Sequence, residues 1–149
     1  MRLTPPKLTS GLQNPFFNTA MSQGAVSQGV FGFKLASTGS ELYLGGTNSK
    51  LYTGSLEYHN VDTSTGFWQI TGASALVNGK AAVSNFETII DSGTTLAYGP
   101  PADVKKLYAA IDGSGVYDSD QGLYYVPCDS LPTIAFSWGG QDWEISADK

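Results

Sequence analysis

The chain has 149 residues, a length typical of one domain. Only 14% of its residues are charged, 41% are hydrophobic and 18 are glycine, a balance that favours a β-rich globular fold over a helical bundle. The formal net charge of −5, without any basic cluster, argues against a nucleic-acid partner. No apolar run approaches the length of a membrane span, so a membrane partner is not expected either.

The first part of the chain predicts an irregular segment followed by short strands. Residues 1–20 are rich in proline and polar residues, which favours loop structure. Beyond them, runs of apolar and β-branched residues alternate with turn residues. The pair Asn78-Gly79 is typical of a two-residue type I′ hairpin turn. The predicted strands up to residue 90 are 30–35, 41–44, 56–61, 67–74, 75–77, 80–83 and 87–90.

The remainder predicts one helix, over residues 101–111, and three more strands. Pro101 suits the first turn of a helix and Gly113 suits a position just past its end. Apolar residues at spacings of three and four predict a stripe that packs on the core: Val104, Leu107, Tyr108 and Ile111. The predicted strands are 123–126, 133–138 and 141–145, the last two joined by Gly139-Gly140. The fold class is therefore all-β, mainly antiparallel, with one or two short helices.

Residues 89–95 read Ile-Ile-Asp-Ser-Gly-Thr-Thr and form the most informative segment of the chain. The two isoleucines predict the end of a buried strand, which would hold Asp91 on a rigid element. Gly93 allows a main-chain amide to approach the acid. Hydroxyl groups that can orient the carboxylate or contact a substrate surround it: Ser92, Thr94 and Thr95. Asp91 is therefore the candidate catalytic acid, and an ordinary Asp-Ser-Gly turn is the alternative.

This segment resembles the catalytic segment of the pepsin-like aspartic proteases, closest in style to fungal members. The likeness continues in order and spacing from about residue 12 to the end of the chain. It implies that residues 21–149 are a truncated C-terminal lobe, one domain of the double-barrel acid protease fold. Residues 1–20 would be an irregular inter-lobe or N-terminal segment. The segments that carry the resemblance are 14–17, 22–24, 30–35, 42–47, 52–56, 67–70, 89–95 and 128–134.

The resemblance implies an aspartic endopeptidase that activates a water between two aspartates and needs no metal or cofactor. Asp91 would be one aspartate, while Gly93, Thr94 and Thr95 would bind the acid or the substrate backbone. The substrate would be a polypeptide with bulky apolar residues at the cleavage point. No Asp-Thr-Gly-Ser precedes Asp91. The second aspartate would therefore come from an N-terminal lobe outside this chain, and the chain alone would be inactive.

Cys128 is the single cysteine of the chain. An odd cysteine in a secreted protein suggests a partner, which by the resemblance would lie beyond residue 149; a free buried thiol is the alternative. The resemblance also implies a secreted or vacuolar parent protein. Met1 is not followed by the apolar segment of a signal peptide, so we expect the chain to be a piece of a longer precursor.

Other readings of the sequence remain open. The chain could be a non-catalytic, inhibitor-like or binding protein of the same fold, or a gene-model fragment. It could also form a homodimer in which each copy supplies one Asp-Ser-Gly. Tyr98 could line a substrate subsite or pack internally. His59 has no Cys, His or acidic cluster at ligand spacing, so no metal site is predicted.

Overall fold

The computed structural model describes residues 14–145, and the strands among them pair antiparallel throughout. Among these residues, two short α-helices and one short 3-10 helix, Ser49–Leu51, accompany the strands. This arrangement confirms the all-β class with one or two short helices. In chain order the elements are α1 (Phe16–Ser22), β1 (Phe31–Lys34), β2 (Glu41–Leu44), β3 (Gln69–Val77), β4 (Lys80–Ile89), α2 (Pro101–Ala109), β5 (Gly115–Asp118), β6 (Leu123–Tyr125), β7 (Ile134–Ser137) and β8 (Trp143–Ile145).

The described residues divide into two compact units, 14–58 with 64–67 and 59–63 with 68–145. In the first unit β1 pairs with β2, which confirms the predicted hairpin. The amides of Gly45 and Gly46 both donate to the carbonyl oxygen of Val30, at 2.8 and 3.1 Å, and extend the pairing past the end of β2. The single domain expected over residues 21–149 stays a prediction.

Helix α1 corrects the expectation of irregular structure up to residue 20. Phe17 on this helix is buried, and its ring lies edge-on to that of Phe31 with the centroids 5.0 Å apart. Burial of one face stabilises a seven-residue helix that would be marginal in isolation. Residues 14 and 15 are irregular as expected, and the rest of the predicted irregular segment lies outside the described residues.

The strand predicted over residues 56–61 is absent from the described chain. Leu56 and Tyr58 are exposed, Tyr58 to 82% of its surface. An alternating apolar pattern favours a strand only when one face is buried, so this segment lacks the packing that would stabilise a ladder.

The second unit is built on a four-stranded sheet in the order β4-β3-β7-β8. Asn78 and Gly79 connect β3 to β4 with φ of 50° and 75°, as a type I′ turn requires, and this confirms the predicted hairpin. The amide of Asn78 donates to the Thr133 carbonyl at 2.8 Å, and its side-chain oxygen accepts from the Thr133 amide at 2.9 Å. The turn is thereby fastened to the segment that enters β7.

Each long strand of this sheet replaces two shorter predicted ones. The β3–β4 ladder shifts register at three points, and at one of them Asn85 is an extra residue with φ of 60°. Such bulges bend a strand without ending it, which explains why the sequence pattern breaks where the strand continues. The buried apolar residues of this unit are Ala73, Ala75, Leu76, Val77, Val83, Ile111 and Ala135.

Helix α2 confirms the predicted helix and ends at Ala109, two residues earlier than the predicted end at residue 111. It contacts β3 and β4. Within its predicted stripe Val104 and Leu107 are half-buried, while Ile111, just past the helix, is buried. The stripe therefore lies toward the core, as expected of an amphipathic helix.

Strand β5 was not predicted, whereas β6, β7 and β8 confirm the three expected strands of the C-terminal part. Val116 and Tyr117 on β5 are exposed, so the strand carries no alternation between buried and exposed apolar residues to identify it. It pairs with β6, and β7 pairs with β8 around Gly139-Gly140. Within residues 14–145, no helix has both the length and the apolar character that crossing a membrane requires.

Candidate functional site

Asp91 lies directly after the last paired residues of β4. Ile89 pairs with Gln69, and the amide of Ile90 donates to the carbonyl oxygen of Trp68 at 2.9 Å. These main-chain contacts fix the backbone immediately before Asp91, as expected of a site held by a strand.

The isoleucines themselves correct the expectation of a buried strand end. Ile89 is 50% exposed and Ile90 is 52% exposed. Among the described strands, β4 lies at the edge of the sheet, so its side chains have a strand neighbour on one side only. Main-chain hydrogen bonds, and not burial of these two side chains, therefore hold the approach to Asp91 in the described chain.

The turn after β4 supplies a hydrogen-bond donor to each oxygen of the Asp91 carboxylate. The Gly93 amide donates to Oδ1 at 2.8 Å, and the Thr94 hydroxyl donates to Oδ2 at 2.5 Å. A Cβ at residue 93 would lie 3.2 Å from Oδ1, closer than ordinary van der Waals contact. Glycine therefore lets this amide reach the acid without crowding it.

These two donors determine the electrostatics of the carboxyl group. The Thr94 hydroxyl, and then the Gly93 amide, hold the pKa of Asp91 below its ordinary value, because both bonds stabilise the ionised form. Desolvation opposes them only weakly, since the carboxylate is exposed. The two bonds therefore hold Asp91 in its ionised form, which is the form that can accept a proton.

The structure brings three of the predicted site residues together and leaves the other two hydroxyls free of the acid. Asp91, Gly93 and Thr94 form the hydrogen-bonded turn. Ser92 and Thr95 are exposed, and neither is hydrogen-bonded to the carboxylate. Both hydroxyls therefore face solvent beside the acid.

The structure also places three other residues that were singled out from the sequence: Tyr98, Cys128 and His59. Tyr98 is 78% exposed, so the interpretation that it packs internally is wrong. Cys128 is an exposed free thiol, which rules out the buried-thiol alternative. The His59 ring lies 6.0 Å from that of Trp138. Among the described residues, no group of three or more His, Cys, Asp or Glu side chains is arranged to hold a metal ion.

One feature near the acid was missed by sequence reasoning. The indole nitrogen of Trp138 donates to the Thr88 hydroxyl at 2.8 Å, three residues before Asp91. Trp138 and Thr88 are 50 positions apart, so no spacing in the sequence predicts this contact. A depression of about 280 Å³ in the same unit, lined by residues such as Asn78 and Asp112, does not include Asp91.

Comparison with known proteins gives consistent matches over nearly the whole chain. The family model described as eukaryotic aspartyl protease matches residues 3–149. An aspartic protease of Phaffia rhodozyma is 44% identical over an alignment 146 residues long, and the alignment covers 94% of this chain and 36% of that protein. Cathepsin D of Chionodraco hamatus is 40% identical over 97% of this chain and 38% of its own length. Cathepsin D of Bos taurus is 38% identical over 96% of this chain and 38% of its own length. The chain thus spans little more than a third of the length of these relatives.

Proposed function

Since the chain belongs to the eukaryotic aspartyl protease family, we propose that Asp91 is one of two catalytic aspartates of an aspartic endopeptidase. The observation that carries this proposal is the paired hydrogen bonding of its carboxylate by Gly93 and Thr94 at the end of a strand. The substrate is a polypeptide with bulky apolar residues at the cleavage point. The parent protein is secreted or vacuolar.

The chemistry requires two carboxylates that share one proton, because two like charges at such short distance cannot both ionise. The ionised carboxylate takes a proton from the attacking water, and the protonated one donates to the substrate carbonyl. The donors on Asp91 favour its ionised form. We therefore assign Asp91 the proton-accepting role when the pair is assembled, although the two titrations then belong to the pair as a whole.

The neighbouring residues have separate roles in this proposal. Gly93 and Thr94 orient the acid through the two hydrogen bonds on its oxygens. Thr95 and Ser92 are exposed and available to the backbone of a polypeptide substrate. Tyr98 is also exposed, close to the turn in sequence, and offers an aromatic surface to an apolar substrate side chain.

The second aspartate, in this proposal, comes from an N-terminal lobe outside the chain, because the 149 residues contain one Asp-Ser-Gly and no Asp-Thr-Gly. A lone Asp91 accepts a proton but has no protonated partner to donate one to the substrate carbonyl. We expect the isolated chain to show no pepstatin-sensitive cleavage of an unfolded protein between pH 3 and 6, roughly the range in which carboxyl groups titrate. Pepstatin-sensitive cleavage by the purified chain would show that it assembles a complete site alone.

Cys128 forms a disulfide, in this proposal, with a cysteine outside the chain. Its thiol is exposed and therefore accessible to such a partner. Disulfides persist in oxidising compartments, which agrees with a secreted or vacuolar parent protein.

A chimeric enzyme tests the catalytic role directly. The segment of the Phaffia rhodozyma protease that aligns with this chain is replaced by the chain's own residues. Asp91→Asn should lower peptidase activity in acid by roughly 10²–10⁴-fold, the usual effect of removing a general acid or base. Asp103→Asn is the matched control, because Asp103 is on α2 and pairs with Lys106 at 3.1 Å. A folded chimera that is inactive, or an Asp91→Asn variant that remains active, refutes the proposal.

A further inference from the structure

The backbone that carries Asp91 is a short ladder separated from the rest of the β3–β4 pairing. Between Ile70 and Ala73 the register shifts, and Gly72 in this interval has φ of 76°. Beyond the shift, two pairs remain, ending at Gln69 and Ile89. A bulge locally disrupts the regular pairing of two strands, so the longer part of the β3–β4 ladder does not by itself hold this short ladder in place. The short ladder therefore needs contacts of its own to keep Asp91 in position.

The apolar side chains at the end of β4 do not supply those contacts. Ile89 and Ile90 are both about half-exposed, and β4 lies at the edge of the sheet. Strand ends with few buried apolar contacts open locally more easily than the centre of a sheet. Side-chain hydrogen bonds therefore contribute more to the local stability of this strand end than they do at the centre of the sheet.

A chain of hydrogen bonds crosses the sheet at this point. The indole nitrogen of Trp138 donates to the Thr88 hydroxyl at 2.8 Å, and that hydroxyl donates to the carbonyl oxygen of Ile70 at 3.2 Å. Trp138 directly follows β7, whereas Thr88 is on β4, and β3 lies between these strands. The indole donates only, and the hydroxyl both accepts and donates, so the two bonds are compatible and mutually polarising.

We propose that Trp138 is a positioning residue for Asp91, which acts through Thr88 to fix the short ladder at the end of β4. The two hydrogen bonds connect β7, β4 and β3, and Thr88 stands three residues before the acid. With the ladder fixed, the following turn presents the Gly93 amide to the carboxylate. The inference rests on the proposed function only for the role of Asp91 as the reacting acid.

Conservative variants of the full chain test this inference. Trp138→Phe keeps an aromatic ring next to His59 but removes the indole N–H, and Thr88→Val keeps the shape of the side chain but removes the hydroxyl. Amide hydrogen exchange at Ile90 should accelerate roughly three- to tenfold in Trp138→Phe, the usual effect of losing one hydrogen bond. It should accelerate at least as much in Thr88→Val, which loses both bonds of the hydroxyl. The double variant should accelerate exchange less than the two single effects combined, because each single variant already removes the bond between Trp138 and Thr88.

Two controls separate positioning from general loss of stability. Trp143→Phe alters another tryptophan of the sheet, on the outer strand β8, and should leave exchange at Ile90 unchanged. The amide of Asn78, bonded to Thr133 at the opposite end of the hairpin, should exchange at the same rate in all variants. As a second readout, the pKa of Asp91, followed by carbon-13 NMR, should rise toward its ordinary value in Trp138→Phe.

The inference is overturned by unchanged exchange at Ile90 in Trp138→Phe and Thr88→Val. It is equally overturned if exchange at Asn78 accelerates as much as at Ile90, since Trp138 then stabilises the whole unit and not the site. None of these readouts requires cleavage of a substrate. A failure of the Asp91→Asn chimera test would remove the proposed function and leave this result intact, so the two failures are distinguishable.

Discussion

Replacing Gly93 with alanine separates the orientation of the Asp91 carboxylate from the stability of the fold. The new Cβ would lie 3.2 Å from Oδ1, and ordinary van der Waals contact begins at 3.4 Å. Gly93 does not have a left-handed φ, so the backbone accepts alanine, and the exposed carboxylate gives way by a few tenths of an ångström. The hydrogen bond from the Gly93 amide, 2.8 Å long, is weakened as a result.

Three expected results follow from that displacement. The free energy of unfolding should change by less than about 0.5 kcal/mol, as for most exposed substitutions. The pKa of Asp91 should rise toward its ordinary value of 3.8. In the chimeric enzyme the peptidase rate should fall roughly two- to fivefold. A displacement of about 1 Å in an active site costs on the order of 10²-fold, and the carboxylate here moves by only a few tenths of that distance.

The lowered pKa of Asp91 also makes the free energy of unfolding depend on pH, and its direction shows which way stability changes. A carboxyl whose pKa is lowered by folding contributes stability above its unfolded pKa, and this contribution is lost as pH falls through the folded pKa. Because the pKa of Asp91 is lowered by its two donors, the wild-type chain should lose this contribution at pH values below about 4. Gly93→Ala should lose less in the same interval, because its pKa is closer to the unfolded value.

The assay is a carbon-13 NMR titration of the Asp91 carboxyl, combined with urea unfolding. Gly99→Ala is the matched control: its Cβ would lie 3.1 Å from a methyl carbon of Val104, a similar degree of crowding that does not involve the acid. An Asp91 titration in Gly93→Ala that coincides with wild type, or a shift equal to that in Gly99→Ala, would refute the argument that the Gly93 amide orients the carboxylate.

Three other predictions concern the same unit. Thr94→Val should raise the pKa of Asp91 more than Gly93→Ala does, because the Thr94 hydroxyl bond is the larger cause of the lowered pKa. The same NMR titration measures both variants, and a smaller rise in Thr94→Val would contradict this prediction. Asn78→Ala should lower the free energy of unfolding by about 2 kcal/mol, through a lost hydrogen bond and a left-handed alanine, and Asn78→Gly by about 1 kcal/mol. Equal losses in urea unfolding would exclude the backbone contribution. Cys128 should react with a thiol reagent without denaturant, and a requirement for unfolding would contradict its exposure.

Features that depend on neighbouring residues in the chain could be predicted from the sequence. Asn78-Gly79 adopts two left-handed conformations because these residues tolerate positive φ at little cost, so the hairpin is encoded locally. Helix α2 has its proline at the start and its apolar stripe at helical spacing. The segment around Asp91 likewise contains both donors to the carboxylate within three residues. This is why the candidate acid was identifiable without a structure.

Features that depend on distant partners were decided only by the tertiary structure. Helix α1 forms where Phe17 packs on Phe31, and residues 56–61 remain outside any strand because their apolar side chains are not buried. Ile89 is half-exposed on β4, the edge strand of the described sheet, and no local pattern specifies that place in the strand order. The bond between Trp138 and Thr88 joins residues 50 positions apart. Local propensity encodes turns and periodicity, whereas burial and strand order arise only when the whole chain packs.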